Sequence, residues 1–484
     1  MKTFLQQHAD HVIGHLSGWD RLRFRGTLRM LANVTGLGHF LCYTGHLLKD
    51  FGQYALHLSR SVREASLAVT EAAGRPTRHL DNPLVCKEGV ARSIAQRDRI
   101  AQGLICTLTA TEPCWSYDIK SNRRTGHLDL VHAYRKCLYI YHYQVHPVFG
   151  FMHARLQTWL PFNCHVCLNG REWLARQMDA AGIDYRRHDN CFTWVSDAPA
   201  AQELLDRQVR FGWAAALGQV AAAANPVLRR IVGGYDIHYY WSLDESEWAT
   251  DVMFDARRHL RELYPGLIRH GIETFASQDV MRFLGRRVEA AVPPRFAGEV
   301  LSDLRQRPEG VRIKHRVNHN SVKLYDKAGS VLRVETTLNN MRDLRSRRTV
   351  KGKKVWRKMR KGVADAPRRA LVSHASNQRY LRALAAVKTP LPLKTLTDKL
   401  SGPVTWKGKR VRGLNLLGQD DSALLGAVGR GEFLISGFRN RDLQSLLFTT
   451  TQDPAEKRRR SARVTRKLRM LRAHGLIHKL TQAA

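Results

Sequence analysis

Tyr325 and Glu335 sit in a stretch crowded with cations, where a phenol and a carboxylate could together act on a phosphodiester. Val311–Val317, Val322–Lys327 and Val331–Thr337 read as three short antiparallel strands. A Gly-containing three-residue loop at Ala328-Gly329-Ser330 fits a type I turn with a bulge, and pairs Leu324 with Val334 and Tyr325 with Arg333. A one-residue slip would mix apolar and charged faces. In the favoured register Val322, Leu324, Leu332 and Val334 point inward, and Arg312, Lys314, Arg316, Lys323, Tyr325, Arg333 and Glu335 share the other face. Phosphoryl transfer needs such parts: a nucleophile, positive charge for the transition state, and carboxylates for a divalent metal. Lys314 and Lys323 beside Tyr325 are expected to favour its phenolate and lower its pKa.

Leu324-Tyr325-Asp326-Lys327 followed by Leu332-Arg333-Val334-Glu335 resembles the hydrophobic-Tyr-Asp/Asn-Lys and Arg-hydrophobic-Glu pattern of rolling-circle replication initiators of plasmids and filamentous phages. The resemblance implies Tyr325 as nucleophile and Glu335 as metal ligand. The chain departs from the larger nickase superfamily in lacking two histidines separated by one residue. Asp244, Glu247, Asp251 and Asp255 lie close to one helical stripe if 244–260 is a helix. Like charges so placed repel unless neutralised. Glu247 and Asp251 are therefore candidates, with Glu335, to hold Mg²⁺ or Mn²⁺; the alternative is a set of acids at a helix start, paired with arginines. Cys164, Cys167, His188 and Cys191 have a spacing tolerable for structural zinc, but the apolar surroundings of Cys164 also suit a buried free thiol.

The C-terminal segment offers a nucleic-acid reader. Arg441–Phe448 reads as one helix, and Ser461–Ala473 as a second with Val464, Leu468 and Leu471 on one stripe. Arg463, Thr465, Arg466, Lys467 and Arg469 are left for a partner. Gly475 suits a left-handed C-cap, and Leu476-Ile477-His478-Lys479 starts an extended segment. Residues 430–480 resemble the winged helix-turn-helix family, which implies DNA binding through that helix; the chain departs from the family in having no second wing strand before Ala484. The alternative is a packing helix with a solvated basic face.

The elements that must position these groups read as α+β and multidomain: a helical N-terminal region (1–135), a β-hairpin and helix module (136–200), a central α+β catalytic region (201–340), a basic arm and linker (341–400) and a winged helix (401–484). Residues 1–110 read as helical, with Asp20–Arg29 a basic lead-in. Tyr139, Tyr141 and Tyr143 alternate in a hairpin that pairs Tyr143 with His153 and Tyr141 with Arg155, a face that suits stacking of unpaired bases. The stretch 342–361, with Lys353, Lys354 and Lys358, reads as a basic arm over nucleic acid, and Pro390, Pro392 and Pro403 as a linker. No internal repeat stands out.

Composition agrees with a polyanionic partner. Lys and Arg total 79 against 42 for Asp and Glu, a net charge of +37, which draws phosphate backbones whatever their sequence. No apolar run approaches the ~20 residues that span a bilayer, no signal-peptide pattern is present, and eight scattered cysteines do not make a disulfide framework. A cytoplasmic, nucleoid-associated protein is expected. Walker, dinucleotide and Gly-x-Ser-x-Gly motifs are absent. The function expected is that of a mobile-element replication initiator or transposase, cutting or transferring DNA strands with a metal. A non-catalytic winged-helix regulator and an RNA-binding or RNA-guided factor are the alternatives.

Overall fold

In the computed structural model, residues 1–82, 84–235, 237–286, 299–307, 310–350, 352–387, 397, 400–416 and 418–479 are described. Helix α1 (Lys2–Gln7) precedes β1 (Val12–Leu28). Helices α2 (Val34–Tyr43) and α3 (Phe51–Ala72), strand β2 (Thr77–His79) and α4 (Lys87–Arg97) follow. An antiparallel meander comes next: β3 (Gly103–Ser121), β4 (Leu128–His146), β5 (Gly150–Gln157) and β6 (Cys164–Asn169). Then come α5 (Gly170–Ala181), a hairpin of β7 (Tyr185–His188) and β8 (Cys191–Val195), α6 (Ala198–Val209), α7 (Trp213–Ala224) and α8 (Leu228–Val232). The second half runs through β9 (Tyr239–Phe254), α9 (Arg257–Glu273), α10 (Ser277–Phe283), β10 (Val300–Arg307), β11 (Gly310–Val317), β12 (Asn320–Lys327) and β13 (Val331–Leu338). It ends in a hairpin of β14 (Arg345–Val350) and β15 (Lys353–Lys358) and in α11 (Ala366–Leu384).

Eleven strands form one sheet in the order β10-β11-β12-β13-β9-β1-β6-β5-β4-β3-β2, antiparallel except where β2 joins β3. Read outward from the β1–β9 junction, both sides follow one plan. A long strand is followed by helices and then by a four-strand meander whose last strand returns to pair with the first. The sheet thus repeats one strand topology on its two sides, a pseudo-symmetry that the sequence did not reveal. One pair of residues fixes the correspondence. His142 on β4 pairs with Thr107 on β3, and His315 on β11 pairs with Ser302 on β10. Each imidazole is buried, hydrogen-bonds that neighbouring hydroxyl through Nδ1, and meets a helix hydroxyl through Nε2: Ser66 of α3 at 2.7 Å and Tyr380 of α11 at 2.9 Å.

Helices α3, α7, α9 and α11 pack on the face that carries His142 and His315. Their apolar stripes close one core over Phe24, Ala154 and Val166 and another over Val322, Leu324 and Val334. The opposite, front face is only partly covered. Helix α4 lies over Tyr139, Tyr141 and Tyr143 through Ala91 and Ile94. The segment α5–α6 lies over β1, where Gly18 permits close approach, because a Cβ there would stand 2.7 Å from Leu205 Cδ2.

Several expectations change here. Residues 244–260 are not a helix: β9 occupies most of them, and both of its faces are covered along the run from Glu247 to Phe254, which erases the period-two signal. The helical reading of 1–110 missed β1, although Leu22 and Phe24 alternate with Arg21, Arg23 and Arg25. The hairpin expected at 139–157 has the expected register, but its tyrosines are buried by α4, so they offer no stacking surface for bases. The arm at 342–361 is the β14–β15 hairpin. Pro390 and Pro392 lie outside the described residues. No helix among the described residues is long and apolar enough to cross a membrane.

The C-terminal region has its own small core around Leu424, Leu443, Val464, Leu468 and Leu471. It comprises a hairpin of β16 (Val404–Trp406) and β17 (Lys409–Val411), then α12 (Gln419–Val428), α13 (Gly431–Ser436), α14 (Asn440–Leu447) and α15 (Pro454–Ala473). Helix α15 begins earlier than the sequence suggested. Pro454 occupies its first turn and Asp453 caps it, accepting from the Ala455 and Glu456 amides. It stops as expected at Gly475, φ +71°, where the Leu476 amide reaches back to the Leu471 carbonyl. Leu476–Lys479 forms no strand.

Candidate metal centre and nucleic-acid interface

The repeated register brings the front-face groups together. On the second half, Glu335 of β13 pairs with Lys323 of β12, and Lys323 with Lys314 of β11. Glu247 of β9 and Asp20 of β1 come in from the central strands. Asp20, Glu247 and Glu335 are buried, at 2, 8 and 3 % exposure, and offer carboxylate oxygens all within 4.8 Å of one another. Three adjacent strands therefore converge three acids on one point, in a chain with a large excess of cations.

Three cations balance this cluster: Lys323, Arg21 and, on Asp20, Arg333. Lys323 Nζ lies 2.5 Å from Glu335 Oε1 and 3.2 Å from Glu247 Oε1, and Arg21 Nη2 donates to Glu247 at 2.9 Å and Glu245 at 2.6 Å. Burial and then the neighbouring Glu335 push Glu247 up to about 7. Burial works against ionised Glu335 too, but the Lys323 ammonium, the Tyr325 hydroxyl and Arg333 outweigh it and hold Glu335 down to about 2. Near neutral pH Glu247 therefore holds a proton while Glu335 stays ionised. A divalent cation between the two would expel that proton and displace the ammonium, which now holds such a position.

Tyr325 and Glu335 do meet: the phenol donates to Glu335 Oε2 at 2.6 Å. The expected pKa is reversed. Burial first, then the charge of Glu335, raise Tyr325 well above the ordinary phenol value, overriding the nearby cations. The protonated phenol orients Glu335 and is poorly suited to attack.

Asp251, farther along the same face of β9, is engaged by other partners. It takes Arg333 Nε at 2.6 Å and Nη2 at 2.9 Å, and lies 3.1 Å from Arg171. Arg333, expected to contact nucleic acid, is fully buried; it also donates to Asp20 Oδ2 at 3.1 Å and to the Asn190 carbonyl at 2.7 Å. The amides of Asn169 and Asn190 complete the shell of Asp20. Sequence reasoning missed Asp20 and Arg21. The alternation that follows them marked a strand, but nothing local showed that β9 and β13 pass beside it.

The other expected residues fall in three places. Lys323 is part of the acid cluster, while Arg312 and Lys314 are half-buried beside it on the front face. Lys353 and Lys358 are exposed on the β14–β15 hairpin, and the side chain of Lys354 lies outside the described residues. On α15, Arg463, Thr465, Arg466 and Arg469 are exposed; Lys467 is half-buried. Asp420 engages Arg463 at 2.8 Å and, through its carbonyl, Lys467 at 2.9 Å. Cys164 and Cys167 point to opposite faces of β6, because they stand three positions apart on a strand of period two, so the expected zinc spacing does not converge. Among the described residues, the groupings that could hold a metal are this acid cluster and an exposed set of His11, Asp255 and His259.

The raised Glu247 has a pH consequence. Mn²⁺ affinity is expected to rise about tenfold per unit as pH climbs towards 7 and to level off above it. Calorimetric titration from pH 5.5 to 8.5 reads this directly; affinity independent of pH would show that Glu247 is not a ligand. With its folded pKa raised, Glu247 also contributes stability that is present at acid pH and lost as pH rises through about 7.

No protein-family model matches the chain, and neither a curated protein nor a solved structure shows significant similarity to it.

Proposed function

We propose that this protein binds DNA and cleaves a phosphodiester with a divalent metal held by Asp20, Glu247 and Glu335. Replication initiators and transposases of mobile elements require that activity. The observation that carries the reading is the convergence of three buried carboxylates from three adjacent strands in a chain of net charge +37. A metal there would polarise the phosphoryl oxygen and generate hydroxide from bound water. Lys323, displaced by the metal, would supply a counter-charge to the phosphate. Water is favoured as nucleophile over Tyr325, whose proton is held by burial and by Glu335. The cations of α15 would anchor the duplex.

The test is incubation of the full chain with labelled single- and double-stranded DNA and Mg²⁺ or Mn²⁺, run on a denaturing gel beside Tyr325→Phe. The expected result is metal-dependent cleavage that persists in Tyr325→Phe within about tenfold, with no covalent protein–DNA adduct. An adduct lost in Tyr325→Phe would restore the tyrosine as nucleophile. Binding without cleavage would favour a non-catalytic regulator, in which Lys323 and Arg21 simply neutralise a structural acid cluster. Sensitivity of the bound material to ribonuclease would favour an RNA partner.

The α15 contribution is separable. Arg466→Ala is expected to weaken binding to all duplex sequences and to reduce the slope of log affinity against log salt by about one. An unchanged slope would place the duplex elsewhere on the protein.

A further inference from the structure

We infer that the first half of the sheet carries a second site, a pocket that binds the phosphate group of a nucleotide. The topological repeat supplies the argument. With His142 set on His315, the pairing registers carry Ala154 onto Val322 and Val166 onto Thr336. One residue along each strand, Arg155 then corresponds to Lys323, and His165 to Glu335. Arg155 pairs with His165 just as Lys323 pairs with Glu335. On the central strands, Arg25 corresponds to Ala249, so Arg23 corresponds to Glu247. Where one half gathers Glu247, Lys323 and Glu335, the other gathers Arg23, Arg155 and His165. At these equivalent places Arg23 and His165 stand where the other half has Glu247 and Glu335, while Arg155 and Lys323 are both cations.

The basic version opens into a cavity of about 470 Å³, lined among others by Arg23, Arg25, His153, Arg155, His165 and Lys361. That is the size range of small-ligand sites. Four permanent cations face three carboxylates there, and those carboxylates are spread around the wall: Glu112 on Arg155 at 2.5 Å, Asp244 on Arg25 at 2.8 Å, Glu245 on Arg23 at 3.9 Å. The buried Nε of Arg155 and Nδ1 of His165 have no hydrogen-bond partner among the described residues. Burial, with the surrounding arginines, pushes His153 down to about 4 and His165 down to about 3. These imidazoles are kept neutral first by burial and further by the nearby arginines, whose positive potential an arriving oxyanion would relieve. The Arg155 guanidinium, largely desolvated, is suited to strong charge-assisted bonds to phosphate, with the half-exposed Arg23 and Arg25 beside it.

The pocket adjoins the acid cluster, since Arg21 bridges Glu245 at its rim to Glu247. It does not depend on the metal-cleavage reading, because its residues are distinct and need no metal. A phosphate could come from a free nucleotide or from a nucleic-acid strand.

The experiment is calorimetric titration of the full chain, in EDTA, with a nucleoside 5′-monophosphate and separately with a short 5′-phosphorylated single-stranded oligonucleotide. Arg155→Gln and Lys361→Gln are run in parallel; Lys361 is half-exposed and its replacement should not disturb the fold. Binding of either probe, weakened on the order of tenfold or more by Arg155→Gln and severalfold by Lys361→Gln, is the expected result. Binding of the mononucleotide would identify a free nucleotide as the source, and binding of the oligonucleotide alone would identify a strand. No binding of either probe, or binding that Lys361→Gln and a folded Arg155→Gln both leave unchanged, would overturn the assignment.

Discussion

Glu335→Gln is expected to lower metal-dependent cleavage by at least ~10²-fold, which corresponds to the several kcal/mol a Lewis-acidic metal contributes. The substitution keeps the shape of the side chain, and the new amide oxygen can still accept from Tyr325. It removes the charge that holds the metal and Lys323 together. It carries a second signature. Glu247 is raised partly because Glu335 is charged beside it, so in Glu335→Gln it should ionise at lower pH, and residual metal binding should shift towards acid. Single-turnover cleavage in Mn²⁺ across pH reads both effects. Activity within about threefold of the parent would remove Glu335 from the reaction.

Arg333→Ala is expected to cost about 3–5 kcal/mol of stability. The guanidinium lies fully buried between Asp251 and Asp20, and also satisfies the Asn190 carbonyl. Its removal leaves two buried carboxylates short of a partner, although Arg171 still faces Asp251 and the amides of Asn169 and Asn190 still reach Asp20. Removing both sides of the pair should be less harmful than removing one. Arg333→Ala combined with Asp251→Ala is therefore expected to lose less than the sum of the two single changes. Urea denaturation of the four proteins measures this coupling; additive losses would mean that the pair carries no interaction energy. If Arg333 instead contacted nucleic acid, its loss would lower affinity and leave stability near that of the parent.

What was legible in the sequence was local. The β12–β13 register followed from Ala328-Gly329-Ser330 and the inward set Val322, Leu324, Leu332 and Val334, because a turn and one buried face over-determine the pairing. The same logic placed Tyr143 opposite His153. The C-cap at Gly475 and the buried stripe of α15 were also readable. Strand β9 was misread because its acids mimic a helical stripe while burial of both faces hides the strand period. The acid cluster was half legible: Glu247 and Glu335 were candidates, but Asp20 reaches them only because β1 pairs with β9 across the middle of the sheet. The topological repeat was hidden for a related reason. The two halves kept the His142 and His315 hydroxyl pairing that holds their backs together, while their front faces exchanged acids for arginine and histidine.

The most direct measurement of the central claim is diffraction from crystals soaked in Mn²⁺, with an anomalous difference map. The expected result is a peak bound by Asp20, Glu247 and Glu335 at metal–oxygen distances near ~2.1 Å, with Lys323 swung out from between the carboxylates. No peak at saturating Mn²⁺ at pH 8, with Lys323 still bridging Glu247 and Glu335, would contradict it and leave the cluster as a structural ion-pair network.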